Sequence, residues 1–281
     1  MPLRKSPLIL GHEITGVVDE VGKEVNNFKA GDRAGVSWLN SSCGKCGLCL
    51  SGKENLCPDA KFTGWDVNGG YAEYTTLSGD FAYHLGENLS FVELAPLMCP
   101  GIAGYRSLRL TEAKSGDNLG LFGFGPTASY VLQVAKFLGI ETLVITRSER
   151  NRNVARELGA NWVGGYEDKL PGKLDAGIIF PPAGNLVPFA LSQLKSSGKL
   201  VLAPVYMTPI EIKDYNLIWM ERSVKSLANV TRQDGVEFLR LVEKVPIKTE
   251  VEVFPFGKLQ DALILAKNGK VRGHAIVKFA D

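Results

Sequence analysis

Histidine is scarce in this chain, with three in 281 residues, and neither a single-sign charge excess nor a long apolar run is present. Lys and Arg total 32 against 30 Asp and Glu, a formal net charge of +2. The longest basic run is the pair Arg4-Lys5. That balance gives no electrostatic footprint for nucleic acid or an anionic membrane surface. Apolar stretches are broken early by Pro and Gly, as over 177–182, so none reaches the ~20 residues a spanning helix needs. The first eleven residues hold two prolines and one short apolar run, Leu8-Ile9-Leu10, unlike a secretory leader. A cytoplasmic protein is the expectation. Internal repeats and low-complexity linkers are also missing, which excludes solenoids and arrays.

Cysteine is the next informative shortage. Five is an odd number and argues against a pure disulfide framework. Their placement says more: Cys43, Cys46, Cys49 and Cys57 crowd together, and Cys99 stands alone. The Cys-x2-Cys-x2-Cys-x7-Cys spacing, with Gly44 and Gly47 easing the chain around, lets four thiolates converge on one tetrahedral zinc. A shell closed by four thiolates leaves no position for a substrate, so the site is structural. Two alternatives remain: unrelated buried cysteines, and an iron–sulfur cluster, whose fourth cysteine ordinarily follows x3 before a proline. Here Cys57 precedes Pro58 but follows x7.

Apolar residues make up 45% of the chain, enough for two cores at this length. Before about residue 115 short β-like runs, at 14–18, 34–38 and 71–75, alternate with Gly, Asn and Asp turns. Beyond it strands and helices alternate. Strands are expected at 119–122, 142–145, 176–180, 200–203 and 224–228, with helices opening at Pro126 and spanning 149–158, 187–194 and 234–243. Alternation of this kind predicts a doubly wound parallel sheet with helices on both faces. The tail, with strands at 251–254 and 274–279 around a helix at 259–267, is expected to return to the first region. The expected divisions are 1–103, 104–243 and 244–281.

Gly123-Phe124-Gly125-Pro126-Thr127-Ala128 joins the first of these strands to its helix, the setting of a dinucleotide fingerprint. Gly123 allows the tight turn, Gly125 the approach of a pyrophosphate, and Ala128 the packing of helix on strand. Pro126 and Thr127 open the helix whose N-terminus favours phosphate. At the end of the second strand stand Thr146, Arg147 and Ser148, with Arg150 and Arg152 close by. No carboxylate sits there to hold a ribose hydroxyl, and a guanidinium beside hydroxyls suits a 2′-phosphate. NADP(H) is therefore expected over NAD(H).

Gly11-His12-Glu13-Ile14-Thr15-Gly16 comes first in the chain. The cysteine lobe follows, then Gly69-Gly70-Tyr71-Ala72-Glu73-Tyr74, then Cys99, then the nucleotide-type unit. This succession closely resembles the zinc-containing, medium-chain alcohol dehydrogenase family, over essentially the whole chain. The resemblance implies a Rossmann domain inserted in a β-rich, GroES-like catalytic domain. It implies that His12 and Cys99 bind a catalytic zinc, with Glu13 as a further or supporting ligand, and that Cys43, Cys46, Cys49 and Cys57 bind a structural one. The implied reaction interconverts an alcohol with an aldehyde or ketone by hydride transfer, on a small-molecule substrate, in a homodimer or homotetramer. The family has an additional cysteine upstream of the His-Glu pair, followed closely by a hydroxyl residue. The eleven residues before His12 contain no cysteine. The expectation is an N-terminally incomplete catalytic domain in which Glu13 serves as third ligand, or else an impaired NADP(H)-binding protein retaining only the structural zinc. A zinc-free quinone or enone reductase of the same superfamily leaves the cysteine lobe unexplained. Ala103 stands where many relatives carry a Thr, and Arg272 and His274 lie where the tail of relatives nears the cofactor. His84, Trp38, Phe62 and Trp65 receive no role.

Overall fold

The computed structural model describes residues 4–279; residues 1–3 and 280–281, the outer ends of two expected divisions, lie outside it. The chain forms two compact units, Met1–Ile102 with Asn229–Asp281, and Ala103–Ala228.

The first unit is built on short strands. Ile14–Val17, Arg33–Val36 and Ala82–His84 form an antiparallel sheet, with Ile14 opposite Val36 and Ala34 opposite His84. Leu39–Ser41 pairs with Lys61–Phe62 beside the cysteine lobe, and Val251–Pro255 pairs in parallel with His274–Lys278 across the helix Leu259–Lys267. Leu94, Leu97, Met98, Ile102 and Phe238 are fully or almost fully buried, each contributing roughly 1.5–3 kcal/mol from area removed from water.

The second unit is a six-stranded, all-parallel sheet. From one edge its strands run Ser223–Ser226, Leu194–Leu202, Leu174–Ile179, Asn118–Phe122, Glu141–Ile145 and Trp162–Gly164. Numbered by sequence and read from the other edge the order is 3-2-1-4-5-6, that of the dinucleotide-binding doubly wound fold. Leu119, Leu121 and Phe122 are wholly buried, as expected of strands covered on both faces. The helix Pro126–Phe137 begins on a proline, suited to the first turn, and turns Ala128, Val131, Leu132 and Ala135 inward at helical spacing. The helix Glu149–Glu157 is capped by Ser148, whose Oγ accepts from Asn151 N at 3.3 Å. Among the described residues no helix is long and apolar enough to cross a membrane.

Four differences from the sequence reading have physical causes. Residues 71–75 form no strand; the N–H groups of Gly69, Gly70 and Tyr71 are engaged instead by the loop at 9–11. The helix Pro100–Thr111 was not anticipated, because Gly101 and Gly104 break its periodic pattern, although both are seated against side chains. The strand Leu194–Leu202 starts six residues before its expected position, through an irregularity between Leu194 and Lys199. The second division falls at Ala228/Asn229 rather than after residue 243. The helix Arg232–Val242 belongs with the first unit, where Phe238 packs against Gly101 and Gly235 lies on the Tyr83 ring.

Candidate metal centres and cofactor loop

The four-cysteine lobe folds around a short helix, Gly47–Leu50, and a 3-10 turn, Glu54–Leu56. All five cysteines of the chain are free thiols. In the lobe, sulfur–sulfur separations are 3.9 Å for Cys43–Cys49, 3.6 Å for Cys46–Cys49, 3.9 Å for Cys46–Cys57 and 3.5 Å for Cys57–Cys43. Four sulfurs at the ~2.3 Å zinc–sulfur distance of a tetrahedral site lie about 3.8 Å apart. The lobe therefore has the spacing zinc requires before any ion is added. Backbone N–H groups, including Cys46 N at 3.4 Å from the sulfur, pull the Cys43 thiol down to about 6. The Ser42 hydroxyl likewise lowers Cys49. These two thiols are thus biased toward thiolate, whereas burial and the neighbouring Cys43 and Cys49 thiols hold Cys57 up to about 11.

The second cluster draws on segments far apart in sequence. Donor atoms of His12, Glu13 and Cys99 all lie within 4.8 Å of one another, close enough to share one cation at the ~2.0–2.3 Å bond lengths of zinc. Burial holds His12 down to about 4, which leaves a neutral imidazole with a lone pair to donate. Burial pushes Glu13 up to about 8 and, together with the Glu13 charge, carries the Cys99 thiol well above its ordinary range. Two acids denied water and a positive partner are what a divalent cation would relieve.

Backbone contacts fix the His12 end. Gly69 N donates to Ile9 O at 2.8 Å, Gly70 N to Gly11 O at 3.0 Å and Tyr71 N to Leu10 O at 3.0 Å. A Cβ at Gly69 would sit 1.9 Å from Gly11 O, so only glycine admits this approach. The Tyr71 ring lies over Gly11, and burial, with the Glu13 charge, raises its hydroxyl pKa. Sequence reading saw Gly69-Gly70-Tyr71 only as a family motif; two adjacent glycines ahead of a tyrosine were the available signal for a backbone clamp. The Cys99 end is the turn before the helix Pro100–Thr111.

Trp38 lies 6.1 Å from the His12 ring, centroid to centroid, with the Phe62 ring tilted against it at 4.6 Å and Trp65 stacked at 5.8 Å. All three residues are partly buried, and Phe62 packs against the core of Leu39, Cys57, Ala60 and Phe81. His84 is exposed, stacked on Phe28 and bonded to Asn27 O, remote from any ligand role. Arg272 pairs with Glu250 at 3.6 Å, and His274 begins the last strand.

In the second unit the glycine loop sits where the strand order reverses, at the end of Asn118–Phe122. Gly123 has φ +81°, and a Cβ there would lie 2.6 Å from Pro181 Cδ, so the turn requires glycine. A Cβ at Gly125 would meet nothing, which leaves open space before the helix at Pro126, with Thr127 in its first turn. Open space in front of unpaired helix N–H groups fits a pyrophosphate. The Asn151 side chain donates to Phe124 O and ties the loop to the next helix. At the end of the second strand Thr146 is buried while Arg147 is exposed. Arg152 is committed to the carbonyls of Thr146 and Arg147 at 3.0 and 3.1 Å, and Glu149 to Arg152 and Arg156. Arg147 thus offers the guanidinium, beside the capping hydroxyl of Ser148.

Comparison with known proteins agrees with this architecture. The alcohol dehydrogenase GroES-like domain profile matches residues 1–87. The chain is 41% identical, over 99% of its length and 82% of the relative's, to a probable alcohol dehydrogenase of Mycobacterium tuberculosis. A cinnamyl alcohol dehydrogenase of Sorghum bicolor superposes with a TM-score of 0.89 at 28% identity, over 97% of this chain and 82% of that one. The Helicobacter pylori CAD complexed with NADP(H) superposes at 0.83 with 25% identity, over 97% and 81%. The chain belongs to the zinc-dependent medium-chain alcohol dehydrogenase family, with a GroES-like domain and a Rossmann-type parallel sheet. That membership supports an oxidoreductase of the alcohol–aldehyde class.

Proposed function

We propose that the chain interconverts an alcohol and an aldehyde or ketone with NADP(H), preferred over NAD(H), using a zinc ion held by His12, Glu13 and Cys99. The observation that carries this reading is the convergence of those three donors within 4.8 Å from segments 86 residues and more apart. The bound ion supplies Lewis acidity, lowering the pKa of a substrate hydroxyl or polarising a carbonyl for hydride exchange with the nicotinamide. The protein's share of the work is positioning. His12 presents a neutral imidazole held by the 69–71 clamp, and the Glu13 charge acts on the Tyr71 hydroxyl. Gly123 makes the turn and Pro126 opens the helix, and the backbone N–H groups of Gly125 and Thr127 receive the pyrophosphate. Arg147, with Thr146 and Ser148 around it, holds the 2′-phosphate. Cys43, Cys46, Cys49 and Cys57 hold a second, structural zinc. A homodimer or homotetramer is supported by the outer strand Ser223–Ser226, which pairs on one side only among the described residues. Its neighbours Trp219 and Met220 are more than half exposed.

The test combines zinc analysis with steady-state kinetics on a panel of small alcohols and aldehydes, each with NADP(H) and NAD(H). Two zinc ions per chain and turnover favouring NADP(H) are expected. NADPH binding without turnover, with one zinc per chain, replaces this reading with that of an impaired cofactor-binding protein.

A further inference from the structure

Glu54 is the unexplained charge of the first unit. It lies three residues before Cys57, whose backbone N–H donates to Glu54 O at 3.1 Å, and its side chain is 5% exposed. Its carboxylate reaches out of the lobe, and Oε1 accepts from the backbone N–H of Arg232 at 2.8 Å, with the Arg232 guanidinium at 3.5 Å.

Arg232 is the first residue of the helix Arg232–Val242. The N-cap Thr231 and Asp234 form a capping box, which bonds the N–H groups of Asp234 and Thr231. The Arg232 N–H lies outside that box, and Glu54 accepts from it, at the end of the helix where the dipole favours negative charge. The same helix carries Phe238, fully buried. A Cβ on Gly101 would lie 2.7 Å from the Phe238 ring, so the ring presses directly on the backbone two residues after Cys99. The helix C-terminal end is held by Asn88, whose amide donates to Val242 O at 3.1 Å. One rigid element thus has the cysteine lobe at its start and the Cys99 turn along its flank.

We propose that Glu54 is a positioning residue that links the metal state of the four-cysteine lobe to the placement of Cys99. This rests on the metal-site reading above. Filling the lobe fixes the turn that ends at Cys57, the turn fixes the Glu54 carboxylate, and the carboxylate seats the helix whose Phe238 sets the Cys99 backbone. Coupling of this kind needs an element with distinguishable seated and unseated states, and the helix is that element.

The experiment uses the full chain carrying His12→Gln, so that added zinc is denied its imidazole at Cys99. One equivalent of zinc is added to metal-free protein and uptake is measured after gel filtration. Hydrogen exchange over 232–242 and the rate of iodoacetamide modification of Cys99, mapped by peptide mass, are read with and without metal. Loss of one charge-assisted bond corresponds to about a tenfold change in such an opening equilibrium. Zinc is expected to slow both processes about tenfold. Glu54→Gln, which keeps an acceptor oxygen, retains most of that response, and Glu54→Ala reduces it below about twofold. Exchange in Pro126–Phe137 is expected to stay equal throughout. Full response in Glu54→Ala overturns the proposal. Should that variant not fold, the Glu54 protein decides alone, since zinc uptake without any change at 232–242 or Cys99 also overturns it. Absence of zinc uptake removes the metal-site reading itself, and the stoichiometry separates that failure from a failure of coupling.

Discussion

Replacing Gly69 with alanine isolates the clamp that holds the His12 loop. The added Cβ would lie 1.9 Å from Gly11 O and 2.7 Å from Leu10 O, both backbone atoms that cannot swing aside. An ordinary contact is ~3.5 Å or more, so the 9–11 loop has to retreat by roughly 1.5 Å. Overpacking of this kind costs about 1–3 kcal/mol, and disturbing the Gly69 N–H bond to Ile9 O adds roughly 0.5–1.5 kcal/mol. For a unit of this size a combined loss near ~3 kcal/mol lowers the melting temperature by about 6–12 °C. Function is expected to suffer more than stability, because His12 follows directly on Gly11. A displacement of ~1 Å in a positioned group can cost about a hundredfold in turnover. Thermal unfolding, zinc content and kcat of Gly69→Ala are the assays. A variant with the parent's zinc content and a kcat within threefold would show that the clamp does not position His12.

Arg147→Ala is expected to lower kcat/KM with NADP(H) by about ten- to a hundredfold, the loss of one charge-assisted contact, and to leave NAD(H) almost unaffected. Parallel kinetics with both cofactors check it. Cys46→Ser breaks the four-thiolate shell and is expected to remove one zinc per chain and destabilise the first unit; metal analysis and calorimetry check this. The Asp175 carboxyl gives a pH dependence. Burial alone would raise its pKa, but Lys195 at 2.7 Å and the Asn118 N–H at 2.9 Å outweigh burial and hold it below the usual range. Its contribution is therefore present above about pH 4 and lost as pH falls through the depressed value. Asp175→Asn is expected to flatten that part of the acid unfolding curve.

The second unit was legible because its signals are local. Pro126 at a helix start, Gly139 at its end and apolar residues at helical spacing each specify one conformation, and all agree with the parallel sheet. The lobe was legible from spacing alone, since fifteen residues leave four sulfurs little choice but to converge. The His12 cluster was reached only through resemblance, because two of its three donors are adjacent and the third is contributed by a distant turn. The helix Arg232–Val242 was recognised as a helix and assigned to the wrong unit. Its amphipathic pattern states that Phe238 is inward but not which core receives it, and that depends on the contact with Gly101. Glu54 gave no signal at all, since nothing in a Lys-Glu-Asn run marks a carboxylate that will cap a helix 178 residues later.

Insertion of one unit into the other also orders events during synthesis. The span Ala103–Ala228 is contiguous and holds all six strands of its sheet, so it can close as soon as it has left the ribosome. The unit bearing the cysteines must wait for residues past 229, because the helix that carries Phe238, and after it the buried Val245, Ile247 and Ala262, emerge only then. Metal ions encountering the nascent chain thus meet the lobe at 43–57 long before the floor beneath Cys99 has been made.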